Sequence, residues 1–187
     1  MIGDKTYLRA LEYKDLDKLN EWHNDELIFP YITANKYFIS KARDEKWIRH
    51  VMLNDSNNLY LAICFKETDE MIGYTSLLDI DYRNSKAIVG GWTMDRTYQR
   101  RQIGVDAWLQ YLSMAFNDFG LNRLVTAYLE SNIVTARHMK THGFKVESIL
   151  REEVYKAGKY HNVVVVSILS SEYKEKEKYD LDNPFIK

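Results

Sequence analysis

The chain has 187 residues, 45% of them hydrophobic and 13% aromatic, which is material for one sizeable core and falls short of two ordinary domains. Its 26 basic and 27 acidic side chains leave a formal net charge of −1, so the one-signed field that generic phosphate-backbone binding requires is missing and nucleic acid is excluded as a principal partner. Only Pro30 and Pro184 interrupt the chain as prolines, and there is no Gly/Ser-rich linker, low-complexity tract or repeat; residues 1–187 are expected to form a single domain with a charged tail from about Lys174.

The single cysteine, Cys64, lies in the apolar run Tyr60-Leu61-Ala62-Ile63-Cys64-Phe65 and reads as a core residue of a strand; with no second cysteine there is no intramolecular disulfide, which suits a reducing compartment. The opening Met1-Ile2-Gly3-Asp4-Lys5 has no apolar signal core and no stretch reaches the length of a membrane span, so the expected location is cytoplasmic, with no membrane partner.

In chain order, Thr6 to Leu11 alternates as a short strand, and the residues from Lys14 to Trp22 follow as a helix with apolar positions at 16, 19 and 22. An irregular aromatic stretch (Phe29-Pro30-Tyr31, Tyr37-Phe38) leads to Ser40, which can cap a second helix running to Leu53 with Ala42, Trp47, Ile48 and Val51 as its buried stripe; Asn54 to Asn58 is a turn. Strands are expected at Leu59 to Phe65, Met71 to Leu78 and Lys86 to Met94, and the short turn-rich links between them predict an antiparallel meander.

After a polar connection, a helix is expected from Gly104 to Phe119, with Val105, Trp108, Leu112, Ala115 and Phe119 on one face and Gly120 as its C-cap. Leu124 to Leu129 is a strand, Asn132 caps a helix that ends at Gly143, and Val146 to Val154 and His161 to Ile168 form a hairpin turning at Lys156-Ala157-Gly158-Lys159. The order β-α-α-β-β-β-α-β-α-β-β needs crossovers in its second half, so the fold class is α/β (α+β), with a mixed central sheet of about seven strands and helices on both faces.

Strand-end residues Trp92, Thr93 and Met94 feed the basic loop Tyr98-Gln99-Arg100-Arg101-Gln102-Ile103-Gly104, which opens directly into a helix. Unpaired N–H groups and the positive end of a helix dipole make such a junction a seat for a pyrophosphate, with Arg100 and Arg101 adding charge at its rim. The side chains of Trp92 and Met94 are expected to belong to the core.

That loop resembles the acetyl-CoA pyrophosphate loop of GNAT acetyltransferases, Arg/Gln-x-x-Gly-x-Gly/Ala: Gln99 and Gly104 fill the outer positions, while Gln102 replaces the inner glycine, so the loop either keeps its backbone path with a non-glycine residue or bends differently. The segment from Asn132 through Thr135 to Gly143-Phe144 is similar to a second GNAT segment. Thr135, the pair of segments Leu8-Arg9-Ala10-Leu11 and Asp15-Leu16, the Trp22-His23-Asn24-Asp25 box and the stretch from Leu150 to Tyr160 resemble the RimJ/RimL-like branch, so the likeness spans about residues 5 to 173.

The resemblance implies acetyl-CoA as co-substrate and transfer of its acetyl group to a primary amine by direct attack. The strand 88–94 would splay from the strand 125–130, pantetheine would lie in the gap, and backbone N–H near Thr93 or Met94 would face the thioester oxygen. Asn132 and Thr135 would meet the pantetheine arm, with Asn132 also a helix cap. The tyrosine that often serves as general acid corresponds to Met139, a vacancy compatible with a thiol of pKa about 8.5 as leaving group.

Glu130 is the first choice as general base, with Asp79 the other candidate. Acceptor contacts are expected from Trp22, His23, Asn24, Asp25, Phe29, Tyr31 and Trp47. His138 and His142 stand four apart without a glutamate after the first, and no metal is expected. The resemblance leaves three acceptor types open: a protein N-terminus, a nucleotide-linked amino sugar, or, as the alternative, a polyamine, for which Asp25 and Glu26 are the acidic pair at the expected site. The competing class is a non-catalytic acetyl-CoA-binding module, with Gln102 and Met139 as its supporting features. A homodimer through the last strands and the tail from Ser171 to Lys187 is also open.

Overall fold

The computed structural model describes residues 4–34, 38–53, 57–98 and 102–173. Tyr37, most of the expected turn at Asn54 to Asn58, the loop residues Gln99, Arg100 and Arg101, and the tail from Lys174 lie outside the described residues.

Strand β1 (Thr6–Ala10) is followed by helices α1 (Leu16–His23) and α2 (Lys41–Leu53), then β2 (Leu59–Phe65), β3 (Glu70–Asp81) and β4 (Lys86–Met94). Helix α3 (Ile103–Ser113), β5 (Arg123–Leu129), α4 (Ile133–Thr141), β6 (Lys145–Lys156) and β7 (Lys159–Leu169) complete the order. The strands form one seven-stranded sheet in the order β1-β2-β3-β4-β5-β7-β6, in which β4 and β5 are the parallel pair and the other neighbours run antiparallel. The mixed sheet follows from the chain order: α3 is the crossover that a parallel β4–β5 pair requires. Among the described residues, no helix is long and apolar enough to cross a membrane.

Alternation along the central strands sends side chains to two cores. On one face, Leu16, Leu19 and Trp22 of α1 and Ile48 of α2 pack on Ala62, Cys64 and Met71. On the other, Trp108, Tyr111 and Leu112 of α3 pack on Leu61, Ile63, Ile72, Leu77 and Val89. The buried positions 16, 19 and 22 and the buried Cys64 agree with the sequence reading.

Three details of the helices differ from it. Ala42 is exposed, and the buried position on that side of α2 belongs to Asp44, whose carboxylate is matched by Asn20 and His23. Val105 is only partly buried and Phe119 is 37% exposed, because α3 passes into a π-helical turn over Met114–Asp118. That wider turn shifts the phase of the side chains and puts Phe116 into the core in place of Phe119. Gly120, at φ +61, ends the helix as expected.

The tip of the β6–β7 hairpin has Ala157 at φ 51 and Gly158 at φ 80, the two positive values that a two-residue type I′ turn demands. From the last residue of β6, buried Lys156 reaches back across the molecule, donating to the carbonyl of Phe29 at 2.8 Å and to that of Ile32, with its ammonium 4.1 Å from the Phe29 ring centre. Desolvation lowers the Lys156 pKa below the usual lysine range, while the two carbonyls hold the connection between α1 and α2 against the hairpin.

A candidate active site where two strands part

Parallel pairing between β4 and β5 extends only over Lys86↔Arg123, Ala87↔Leu124 and Ile88↔Val125. Beyond that point β4 continues to Met94 and β5 to Leu129 without pairing to each other, so the middle of the sheet opens into a fork. Thr126 Oγ1 donates to the Val89 carbonyl at 3.1 Å, a side chain standing in for the missing ladder bond at the apex.

A bulge in β4 produces the parting. Leu77 pairs with Val89 but Thr75 pairs with Trp92, so β4 carries one residue more than β3 across this interval. A Cβ at Gly90 would overlap Ser76 Oγ, which makes glycine necessary there, whereas a Cβ at Gly91 would meet nothing within 4 Å. The Gly90-Gly91 pair inside a strand pattern was the available sequence signal for this bend, and its meaning emerges only with the pairing.

Helix α3 starts at the mouth of the fork. Gln102, its N-cap, has φ 55 and ψ 5, a left-handed backbone that a glycine would adopt at lower cost. Its side chain makes no capping hydrogen bond, and its carbonyl begins the helix by accepting from Asp106 N at 3.1 Å. Ile103 is buried, and a Cβ on Gly104 would lie 3.3 Å from Met94 Sδ, so the first turn of α3 sits directly on the end of β4. Helix N–H groups that lack a side-chain cap are suited to an anion. Trp92 packs at 4.9 Å from Trp108 and 5.9 Å from Tyr111, which places the side chains of Trp92 and Met94 in the α3-side core.

Across the fork, Asn132 caps α4 by accepting from Thr135 N at 3.0 Å, and its amide donates to the carbonyl of Tyr31 at 2.9 Å. One side chain thus fixes both the α4 terminus and the aromatic connection. Met139 lies in the core behind it, 7% exposed. His138 and His142 meet Trp108 edge-on, at 4.9 and 5.9 Å between ring centres, and lie 4.3 Å from each other. Burial, with the neighbouring His142 adding to it, lowers His138 to about 3, and burial lowers His142 as well, so both are neutral packing groups at ordinary pH.

The opposite face of the fork is lined from α1, α2 and β3. Trp22 is buried and stacks on Tyr74 at 6.1 Å, while Trp47 meets His23 edge-on at 5.6 Å. His23 Nδ1 is 2.9 Å from Asp44 Oδ1 and its Nε2 is 2.9 Å from the Tyr74 hydroxyl. Asn24 is a clip for the segment entering α2, exchanging bonds with the N–H and carbonyl of Ile39 at 3.0 and 2.9 Å. Asp25 receives Leu27 N at 2.8 Å, and Tyr31 is 58% exposed.

The two base candidates are both exposed. Glu130 is exposed just past β5, with Oε2 accepting from Asn162 at 2.9 Å; Asp79 is exposed near the far end of β3. The structure therefore brings Thr93, Met94, Gln102, Ile103, Gly104 and the α4 cap Asn132–Thr135 to the ends of the two parted strands, with Glu130 directly after β5, and Trp22 and His23 beside Tyr74. Tyr74 and Asp44 were missed in the sequence: a tyrosine in an apolar strand and an aspartate within a helix stripe gain meaning only through the histidine between them.

Comparison with known proteins adds to this geometry. The model of the acetyltransferase (GNAT) domain matches residues 5–145. The chain is 26% identical over 175 residues to an uncharacterized N-acetyltransferase, p20, of Bacillus licheniformis, covering 92% of this chain and 97% of that protein. It is 22% identical over 167 residues to the uncharacterized N-acetyltransferase YnaD of Bacillus subtilis, covering 89% and 94%. Among solved structures, a spermidine N-acetyltransferase from Vibrio cholerae in complex with CoA and spermine superposes with a TM-score of 0.83 at 22% identity, over 90% of this chain and 98% of the other. The splayed β4–β5 fork with a helix N-terminus at its mouth is thus carried on a shared fold, and the chain belongs to the GNAT acetyltransferase family as an N-acetyltransferase.

Proposed function

We propose that this protein binds acetyl-CoA in the β4–β5 fork and transfers the acetyl group to a primary amine by direct attack in a ternary complex. The observation that carries this reading is the end of β4–β5 pairing at Ile88 and Val125, with α3 starting beside Met94. A pantetheine arm is a chain of amides and can take up strand hydrogen bonds that the fork leaves unmade. The N–H groups from Gln102 to Gly104, with Gln99, Arg100 and Arg101 in the preceding loop, would hold the pyrophosphate; Trp92, Thr93 and Met94 would carry the backbone at the thioester, where an N–H can stabilise the oxyanion. Asn132 and Thr135 would border the arm from α4. Glu130 would be the carboxylate through which protons pass to solvent.

The acceptor enters over the α1–α2 face, where Tyr74 and Thr93 would present hydroxyl groups, buried Trp22 would act only by backing the Tyr74 ring, and Asn24, Asp25 and Tyr31 would shape the rim. Such a lining suits a single amine flanked by apolar or polar substituents, as in a polypeptide N-terminus treated in the RimJ/RimL-like manner or a nucleotide-linked amino sugar. A polyamine is the second reading, supported by the fold shared with the Vibrio cholerae spermidine enzyme, a likeness at 22% identity. The test is release of CoA thiol from acetyl-CoA with a panel of short peptides with free N-termini, a nucleotide amino sugar and spermidine. Turnover with a peptide or sugar and none with spermidine supports the first reading, the converse supports the second, and saturable CoA binding without turnover for any of them supports a non-catalytic module.

A further inference from the structure

Acetyl transfer consumes a neutral amine, yet at neutral pH a polypeptide α-amino group, with a pKa of about 7.7–8.0, is mostly protonated, and an aliphatic polyamine nitrogen, like a lysine at about 10.4, almost wholly so. A site for this reaction therefore needs a route for that proton. Three side chains from three different elements line up to make one. Asp44 of α2 is 3% exposed, and its Oδ2 accepts from Asn20 Nδ2 at 2.7 Å while Oδ1 meets His23 Nδ1 at 2.9 Å. A carboxylate on Nδ1 fixes the ring proton there, which leaves Nε2 with a lone pair, and the group 2.9 Å from Nε2 is the Tyr74 hydroxyl.

Tyr74 pairs directly with Thr93 across β3 and β4, so the two side chains share the face of the sheet that looks toward α1 and α2. Beside them on the same face of β4 is Gly91, whose missing side chain leaves open space. The tyrosine oxygen thus lies between a buried histidine–aspartate pair and the strand end where the fork holds the thioester. Burial raises the Tyr74 pKa above the usual tyrosine range, with Thr93 opposing, so a resident tyrosinate is not the reactive form. The other groups facing His23 are the Trp47 edge from α2 and, behind that ring at 5.5 Å, Tyr60 from β2; among the described residues, the carboxylate bonded to the imidazole is Asp44.

We propose that Tyr74, His23 and Asp44 form a proton relay that deprotonates the acceptor amine, with Tyr74 as the catalytic group and His23 and Asp44 as its positioning residues; this deepens the acetyltransfer reading and rests on it. The ammonium N–H passes its proton to the tyrosine oxygen as the tyrosine O–H passes its own to His23 Nε2, and Asp44 stabilises the imidazolium. The freed nitrogen lone pair bonds to the thioester carbon, the tetrahedral adduct breaks its C–S bond, and the coenzyme departs as thiolate. That thiolate takes the second nitrogen proton through water, and the imidazolium returns the first proton to solvent. The relay depends on the Nε2 lone pair that the Asp44 contact at Nδ1 leaves facing the Tyr74 hydroxyl.

The test uses the full chain and three measurements. Tyr74→Phe keeps the ring that stacks on Trp22 and removes only the hydroxyl; it is expected to lower kcat/KM about 100-fold or more while leaving CoA affinity unchanged. Asp44→Asn removes the carboxylate that holds the ring proton on Nδ1 and is expected to lower kcat at least about tenfold with KM for the amine and CoA affinity unchanged, a split that a purely structural role would not cause. Nitrogen-15 NMR of the histidines, which needs no acceptor, should show neutral His23 carrying its proton on Nδ1. A Tyr74→Phe enzyme within about threefold of the parent, an undiminished kcat in Asp44→Asn, or a neutral His23 protonated on Nε2 would each overturn the relay. Failure of the parent protein to bind CoA would overturn the acetyltransfer reading and the relay with it, and is seen separately by calorimetry.

Discussion

Asn132 joins the two sides of the cleft: its side-chain oxygen caps α4 through Thr135 N at 3.0 Å, and its amide nitrogen holds the carbonyl of Tyr31 at 2.9 Å. The cap is a local matter of helix formation, whereas the second bond fixes a segment 101 residues away that borders the acceptor face. The two roles separate by mutation. Asn132→Asp keeps the acceptor oxygen and loses the donor, so thermal stability should hold while KM for the amine rises; Asn132→Ala loses both and should also cost about 1 kcal/mol of stability. Melting curves alongside acceptor KM values distinguish these outcomes, and equal melting temperatures with equal KM values for both variants would contradict them.

Gln102 holds a left-handed backbone, φ 55, at a cost of about 1 kcal/mol relative to a residue free of that strain. Gln102→Gly should therefore leave the protein as stable or slightly more so and preserve or tighten CoA binding. Gln102→Val, β-branched at a positive φ, should destabilise and weaken CoA binding several-fold, as read by calorimetric titration.

Arg9 and Asp15 form a two-pronged ion pair at 2.7 and 2.8 Å between the end of β1 and the start of α1, with Asp15 4% exposed and also accepting Glu12 N at 2.9 Å. Removing one partner strands a buried charge, so Arg9→Met should cost about 3 kcal/mol in urea unfolding. Because α1 carries Trp22 and His23, the same change should lower kcat more than CoA affinity.

Acid should weaken the fold from an unusually high pH. His138 falls from an ordinary 6.5 to about 3 through burial and its neighbour His142, so between those values the unfolded chain binds a proton that the folded chain refuses. Stability is complete above about 6.5 and declines as pH drops through that window. His138→Leu should flatten the decline between pH 6.5 and 4 in a series of denaturant melts; an unchanged slope would contradict the assignment. A second loss follows at lower pH, where Glu147, held down to about 2 by Arg123 and Ser167, takes up its proton.

Much of the architecture was legible because local signals agreed with one another. Ser40, Asn132, Gly120 and Gly143 punctuate helices through caps and left-handed turns, and the spacing of Leu16, Leu19 and Trp22 fixed the inner face of α1. The loop before α3 is legible through Gln99 and Gly104, and Gln102, its last residue before the helix, holds a left-handed backbone. Illegible features depended on pairing between distant strands or on buried polar partners. The fork needs the β4 bulge, and Gly90 explains it only once Ser76 lies opposite.

Likewise, the motif containing Leu8, Arg9 and Asp15 was visible as a pattern, but its chemistry is the ion pair between strand and helix. Buried Asp44 interrupts an apolar stripe, and buried Lys156 ends a strand; each is tolerated because partners 21 to 127 residues away supply hydrogen bonds that periodicity cannot reveal. Buried Asp106 is the same case: it gathers the backbone N–H groups of Asp4, Lys5 and Thr6 at 3.1, 3.1 and 2.9 Å and so locks β1 to α3.

The most direct test of the account is calorimetric titration of CoA into the purified protein and its Gly104→Glu variant. A glutamate in the first turn of α3 is compatible with the helix dipole, and the Cβ it adds meets only the flexible Met94 side chain, so the fold should survive. The parent is predicted to bind CoA saturably and the variant to lose at least about 50-fold in affinity, as expected when a negative charge of about one unit faces a pyrophosphate across a partly buried site. Saturable binding of equal strength in both proteins, or none in the parent, would contradict the placement of the coenzyme between β4 and β5.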